Sequence, residues 1–446
     1  MPDLKGFPYF EVEFDKKGES SDAKQVKALK DFLAQGDATD LFVISHGWNN
    51  DMAEARRLYT DFFESMRQVL DDKKNAVKGV DKRSFAILAV LWPSHKFADK
   101  ELIASGAASV GSPVTNDFLK AELDEMKAVF NTPKGRATLN KAKLLVPKLE
   151  DSKKARTDFA DLLRSLLPKK SSPDVDAAGE FSKLPGDEVM QRLSKPVPVT
   201  MPKPKSGGGA AAVIGGRAAF GGGGAAGVGT FFSGIKSGAA HLLNLTTYYQ
   251  MKERAGIVGS TGVNKILSSI RAKNPKIKLH LIGHSFGGRL VTAAVAGSKD
   301  QPPLQVDTLT LLQAAFSHYG FSVNFDGSSD GFFRNVVKGE FVSGPTLISC
   351  TENDMAVGKA YPLASLLAGQ VAAAFGDKND KYGGIGRNGA QKTPEANDGT
   401  LLKVGGSYQF KAGKLYNLNA DAIIKDHSDI CHEEVAYALL TAVAVT

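Results

Sequence analysis

The sequence predicts an α/β protein, a mostly parallel central sheet flanked by helices. Three observations carry this. Strand-like apolar runs alternate with helix-length segments over the first hundred residues. Near residue 285 an apolar run passes through a glycine-bounded turn into a helix-compatible run. Residues 414–443 read as a short strand, a loop and a helix. At 446 residues the chain has room for two or three average domains, or for one core with a large insertion. A hydrophobic share of 42% is ample for a sizeable core.

Residues 9–14 read as a strand, 22–33 as a helix, 41–45 as a strand, 52–70 as a helix and 85–92 as a strand. In the 52–70 segment Ala55, Leu58, Tyr59, Phe62, Phe63, Met66 and Leu70 recur near i, i+3, i+4 and i+7, which gives one apolar face. The pattern then changes. Segments 117–130, 136–149 and 155–166 read as amphipathic helices rich in Lys, Leu and Ala, followed by a Pro/Lys linker at 195–205 and a stretch of Gly, Ala, Val and Phe at 206–234. The uncharged run 218–235 is 18 residues long and seven of them are glycine, so it is a poor membrane span and reads as loosely ordered. From 242 the α/β pattern resumes, with a helix at 242–258, a segment at 261–272 that leads into the elbow, and a strand at 276–282. The expected organisation is a first part of the core at 1–100, a helical and Gly-rich insertion at 101–240 in the place of a lid, and a second part of the core at 241–446.

The strand at 276–282 ends in Gly283-His284-Ser285-Phe286-Gly287, a G-x-S-x-G sequence, and residues 289–296 continue as a helix. Strand, turn and helix in that order make the nucleophile elbow. The turn is so tight that side chains at 283 and 287 would clash, and glycine removes them. Ser285 then stands at a helix start, where backbone N–H groups face any oxyanion formed beside it.

A serine nucleophile needs a base, and the base an orienting acid. In elbow-type sites the acid follows the serine and the histidine comes last. Of the eight histidines only His318, His427 and His432 follow the elbow. His427 falls in the loop between the strand at 414–418 and the helix at 433–443, where reactive residues tend to sit. His432, at the edge of that helix, is the alternative base, or else a cap or a solvent-facing side chain, and His318 is the remaining candidate. For the acid, the buried-type strand at 345–350 runs into Glu352 and Asp354. Asp354 is the first choice, Glu352 its local competitor, and Asp326 and Asp330 a second option. The structural alternative for Asp354 is a cap on a helical run at 361–367. The oxyanion site needs a second N–H besides that of Phe286. The strand at 40–45 ends in His46-Gly47-Trp48, where Gly47 lets the backbone come close and the N–H of Trp48 is the chosen donor.

With these segments, together with the strand ending in Leu91-Trp92-Pro93-Ser94, residues 248–262, the 352–357 segment and the 426–430 loop, the chain resembles the α/β-hydrolase superfamily. It is most similar to a bacterial group of uncharacterised serine-esterase-like proteins. The resemblance covers residues 1–100 and 245–446 and not the middle. It implies an α/β-hydrolase fold and an acyl-transfer hydrolase, with no metal or organic cofactor; an ester is the expected bond because amide cleavage asks more of leaving-group protonation. It implies no particular substrate, because this fold hosts esterases, lipases, peptidases and inactive binders. Two rival readings are a non-enzymatic binding protein on the same fold and a lipid-directed effector that touches membranes through 206–235.

The net charge of +8 includes lysines of the middle region, Lys169, Lys170, Lys195, Lys203 and Lys205. No helix-turn-helix, zinc finger or P-loop accompanies it, so solvated helix faces and a linker are expected rather than a nucleic-acid partner. Cys350 and Cys431 are too few for a disulfide framework or a zinc cluster and are expected as free thiols. No basic start followed by an apolar stretch is readable as a secretory signal, which favours the cytoplasm or an export route without a cleaved signal.

Overall fold

The structure, a computed structural model, describes residues 2–48, 50–94, 114–168, 178–195, 234–354, 378 and 381–446. Among them nine strands form one sheet in the order β1-β2-β4-β3-β5-β6-β7-β9-β8. These are β1 (Asp3–Leu4), β2 (Phe7–Glu13), β3 (Asp40–Ser45), β4 (Phe85–Leu91), β5 (Lys278–His284), β6 (Thr308–Leu312), β7 (Thr346–Cys350), β8 (Ala396–Thr400) and β9 (Leu415–Asn419). Only the short β1–β2 pairing is antiparallel. β3 sits centrally, with Asp40 opposite Phe85 of β4 and Lys278 of β5.

The central strands read as continuous apolar runs because helices cover both faces. Side chains still alternate. Leu41, Val43, Leu88, Leu279 and Leu281 enter one core layer, and Phe42, Ile44, Ile87, Ala89 and Ile282 enter the other. The first layer is closed by helices Ala23–Ala34, Ile235–Ile257 and Phe286–Ala296 and by the helices of the middle region. Helices Met52–Asp71 and Glu433–Val443 close the second. Met52–Asp71 starts at a capping box. Asp51 Oδ1 accepts from the N–H groups of Ala53 and Glu54, and Glu54 accepts from the N–H of Asp51. That cap fixes where the chain leaves β3, and so where Gly47 and Trp48 lie.

The middle region forms helices Asn116–Val129, Pro133–Leu145 and Lys153–Arg164, near the positions expected. Two more, Ala178–Lys183 and Gly186–Leu193, were not expected. Arg156 ties this layer together through an ion pair with the buried Asp187. The Pro/Lys linker beyond Lys195 and the Gly-rich stretch up to 233 lie outside the described residues, as does the helical run expected at 361–367. Among the described residues no helix is long and apolar enough to cross a membrane.

The helix expected at 242–258 is part of a longer helical path that continues toward β5. Ile235–Ile257 passes through a π-wound segment, Val258–Val263, into Asn264–Lys273. π winding carries the chain through Gly259-Ser260-Thr261-Gly262. Its glycines allow close approach. A Cβ on Gly259 would lie 2.0 Å from the carbonyl oxygen of Leu290, so this path packs against helix Phe286–Ala296 at backbone distance.

Candidate active site

Four strand ends converge. β3 delivers His46, Gly47 and Trp48, and β5 delivers Ser285. β7 delivers Asp354, and the segment after β9 delivers His427. All lie at carboxyl ends of parallel strands, where open α/β sheets form their binding crevices.

Ser285 is the residue between β5 and helix Phe286–Ala296, with φ 56° and ψ −125°. A non-glycine residue held there stores of order 1–3 kcal/mol of strain. Neighbouring backbone enforces it: the N–H of Ser285 donates to Leu312 O at 3.0 Å, and its carbonyl accepts from Gly288 and Ala315, each at 3.0 Å. A Cβ at 283 would fall 2.4 Å from Gly287 O, and one at 287 would fall 2.1 Å from Ser45 O. Only glycine fits at either place. Phe286, first residue of its helix, has an N–H with no acceptor inside that helix.

Ser285 Oγ lies 2.8 Å from His427 Nε2, and His427 Nδ1 lies 2.8 Å from Asp354 Oδ2. Asp354 is fully buried, while the His427 side chain is 20% exposed. Burial alone would lower the pKa of His427. The Asp354 carboxylate, by charge and hydrogen bond, and the nearby Asp426 outweigh it and hold the imidazole above its ordinary 6.5. The turn bearing Asp354 and the segment leading to His427 brace each other. Asn353 Nδ2 donates to Asp421 O at 3.1 Å and to Ile424 O at 2.8 Å, and Thr351 Oγ1 donates to Asp421 Oδ1 at 2.8 Å.

On the other side, the would-be Cβ of Gly47 lies 2.5 Å from Ser285 Cβ, so the backbone at Gly47 rests against the serine. His46 is fully buried and holds this segment. Trp92 N donates to His46 Nε2 at 3.3 Å, which leaves the proton on Nδ1, 2.9 Å from Gly47 O. Burial pushes the pKa of His46 down to about 4, so the neutral ring is retained. In a trans peptide the N–H points opposite to the C=O. Fixing Gly47 O toward His46 therefore turns the Trp48 N–H to the other side. The N–H of His46 donates to the Tyr59 hydroxyl at 2.9 Å, which donates to Val90 O at 2.6 Å. Tyr59→Phe leaves that buried N–H and C=O without partners and should cost about 1–3 kcal/mol, read by chemical denaturation; a cost under roughly 0.5 kcal/mol would deny the brace.

The other candidates lie elsewhere. His432 Nε2 pairs with Asp429 at 2.7 Å, and its side chain makes no cap on helix Glu433–Val443. Buried His318 meets Asn388 at 3.0 Å through Nδ1. Glu352 and Asp330 are exposed, and Asp326 accepts from Ser328 and Ser329 of its own turn. Cys350 and Cys431 are free thiols, both pushed up to about 12 chiefly by burial. Among the described residues no group of three or more His, Cys, Asp or Glu is placed to hold a metal ion. Sequence reasoning gave no bracing role to Asn353, Asp421, Tyr59 or Trp92, because that role depends on partners distant in sequence. Compared with known proteins, the chain matches no family model, no curated protein and no solved structure.

Proposed function

We propose that this chain is a serine hydrolase of the α/β-hydrolase class that cleaves carboxylic esters through an acyl-enzyme. The observation that carries the reading is the Ser285–His427–Asp354 chain, two contacts of 2.8 Å, with the serine held at positive φ at a helix start. Ser285 Oγ attacks the acyl carbon as its proton passes to His427 Nε2. The N–H groups of Phe286 and Trp48 hold the carbonyl oxygen while it is anionic. Collapse expels the alcohol, which takes the proton from His427. Water then attacks the acyl-enzyme, gives its proton to His427, and releases the acid and Ser285. Asp354 holds the Nδ1–H tautomer and stabilises the imidazolium. Esters are favoured over amides because an amine leaving group asks more of proton delivery. The strand order, with the elbow after β5 at the switch between β3 and β5, supports the same fold class.

The deciding experiment is fluorophosphonate labelling of wild type, Ser285→Ala and His427→Ala. Labelling of the wild type alone is expected. Equal labelling of Ser285→Ala, or none of folded wild type, refutes the reading. The pH dependence has a fixed sign. Attack requires neutral His427, whose pKa is raised, so kcat/KM on a soluble ester should fall as pH drops, with its midpoint above 6.5. A midpoint at or below 6.5 would mean that Asp354 does not act on His427.

A further inference from the structure

His284 precedes Ser285 at the end of β5, is buried, and has no part in the chemistry above. Its Nε2 lies 2.8 Å from the backbone carbonyl oxygen of His427, and the two rings stand 4.9 Å apart. A carbonyl only accepts, so Nε2 carries the proton and Nδ1 is bare. Among the described residues Nδ1 is a buried nitrogen with no hydrogen-bond partner. A ring with one orphaned nitrogen is a poor choice for filling space, and an apolar side chain would avoid the cost of desolvating it. What the imidazole supplies is the single bond to the His427 carbonyl.

That bond closes a ring. His284 and Ser285 are covalent neighbours, Ser285 Oγ meets His427 Nε2, and the His427 carbonyl returns to His284. Apart from the His427 ring's own bonds to Ser285 and Asp354, no other bond among the described residues ties the tip of this loop to the sheet. Lys425 N–H to Asp429, Ser428 N–H to Asp426 and Ile430 N–H to Ser428 O are internal, while Asn353 and Ser65 hold its two ends at Ile424 and Cys431. We propose that His284 is a positioning residue that fastens the loop bearing His427 to the nucleophile strand and so sets the distance between imidazole and serine. The inference rests on the serine-hydrolase reading. Charge agrees with it. Burial first, then the neighbouring His427, pushes the pKa of His284 down to about 3, so it donates without adding a cation beside the forming imidazolium. The ionisable groups that act on this pair are Asp354 from the end of β7, Asp426 from the loop itself and His46 from the end of β3.

The test measures the second-order rate of fluorophosphonate labelling against pH for wild type, His284→Gln, His284→Asn and His284→Leu. Glutamine places an N–H near the Nε2 position, asparagine is too short to reach, and leucine has no donor. Wild type and Gln should agree within about threefold, while Asn and Leu fall about tenfold to a hundredfold, the cost of a base displaced by an ångström or less. In Asn and Leu the acid limb should also move down toward 6.5, because a loosened ring leaves Asp354. A residue important only for packing would move thermal stability and leave that limb in place. Should Leu not fold, Gln against Asn decides: equal rates and equal limbs overturn the proposal. Unlabelled wild type overturns the hydrolase reading itself. Labelled wild type with unaffected Asn and Leu overturns only the role of His284.

Discussion

Ser285→Ala should remain folded and lose ester hydrolysis and probe labelling by about 10⁴–10⁶-fold, the usual cost of deleting the nucleophile of such a unit. The structure adds a second half to this prediction. Ser285 is held at φ 56° and ψ −125° by bonds to Leu312, Gly288 and Ala315. Alanine inherits that strain, and glycine does not. Ser285→Gly should release about 1–3 kcal/mol of backbone strain, less the roughly 0.4–1 kcal/mol that the freer unfolded chain recovers. The glycine variant should therefore be as inactive as the alanine variant yet more stable than it. Urea denaturation beside an ester assay reads both. Hydrolysis at the wild-type level in either variant would remove Ser285 from the chemistry. A glycine variant less stable than the alanine one would show that the strain is not stored there.

The main strands and most helices were legible because their apolar periods are strong: Asp40–Ser45, Phe85–Leu91 and Lys278–His284 are buried along their length. The meeting of Ser285, Asp354 and His427 was legible from order and loop position, since a parallel sheet puts every loop that follows a strand on one edge. What escaped lacks such a signal. β8, Ala-Asn-Asp-Gly-Thr, is mostly exposed and pairs on one side only, so no apolar alternation marks it. The π winding at Gly259-Ser260-Thr261-Gly262 has no residue-type pattern of its own, and Gly259 packs there at backbone distance from Leu290. The bracing roles of Tyr59, Asn353 and His284 are set by backbone groups of remote segments, and no residue-type pattern records a remote carbonyl.

The largest stability effect is expected at the opposite end of β3. Asp40 is buried, with Oδ1 2.7 Å from His280 Nε2 and 2.8 Å from Arg83 Nη1, and with Thr39 Oγ1 donating to Oδ2 at 2.6 Å. Burial opposes the anion, but these bonds and charges prevail and hold the Asp40 carboxyl below its ordinary 3.8. Arg83 also donates to the carbonyl of Thr446 at 2.6 Å, and His280 meets Thr308 Oγ1 at 2.9 Å, so one carboxylate joins β3, β5, β6 and the last residue of the chain. Asp40→Ala leaves a guanidinium and an imidazole N–H without their acceptor and should cost about 3–5 kcal/mol. Asp40→Asn keeps the shape without the charge and should cost about 1.5–3 kcal/mol. The linkage sign is definite. A depressed carboxylate contributes above its unfolded value of 3.8 and loses that contribution as pH falls through the folded value, so the gap between wild type and Asp40→Asn should close only in acid. The length of β3, roughly 17 Å at about 3.3 Å per residue, separates this cluster from Gly47 and Ser285. Turnover per probe-titrated site in Asp40→Ala should therefore equal that of wild type while the denaturation midpoint drops. A fall in turnover per titrated site would mean that the two ends of the strand are coupled, and a stability loss under about 1 kcal/mol would mean that the cluster is not the anchor its geometry describes.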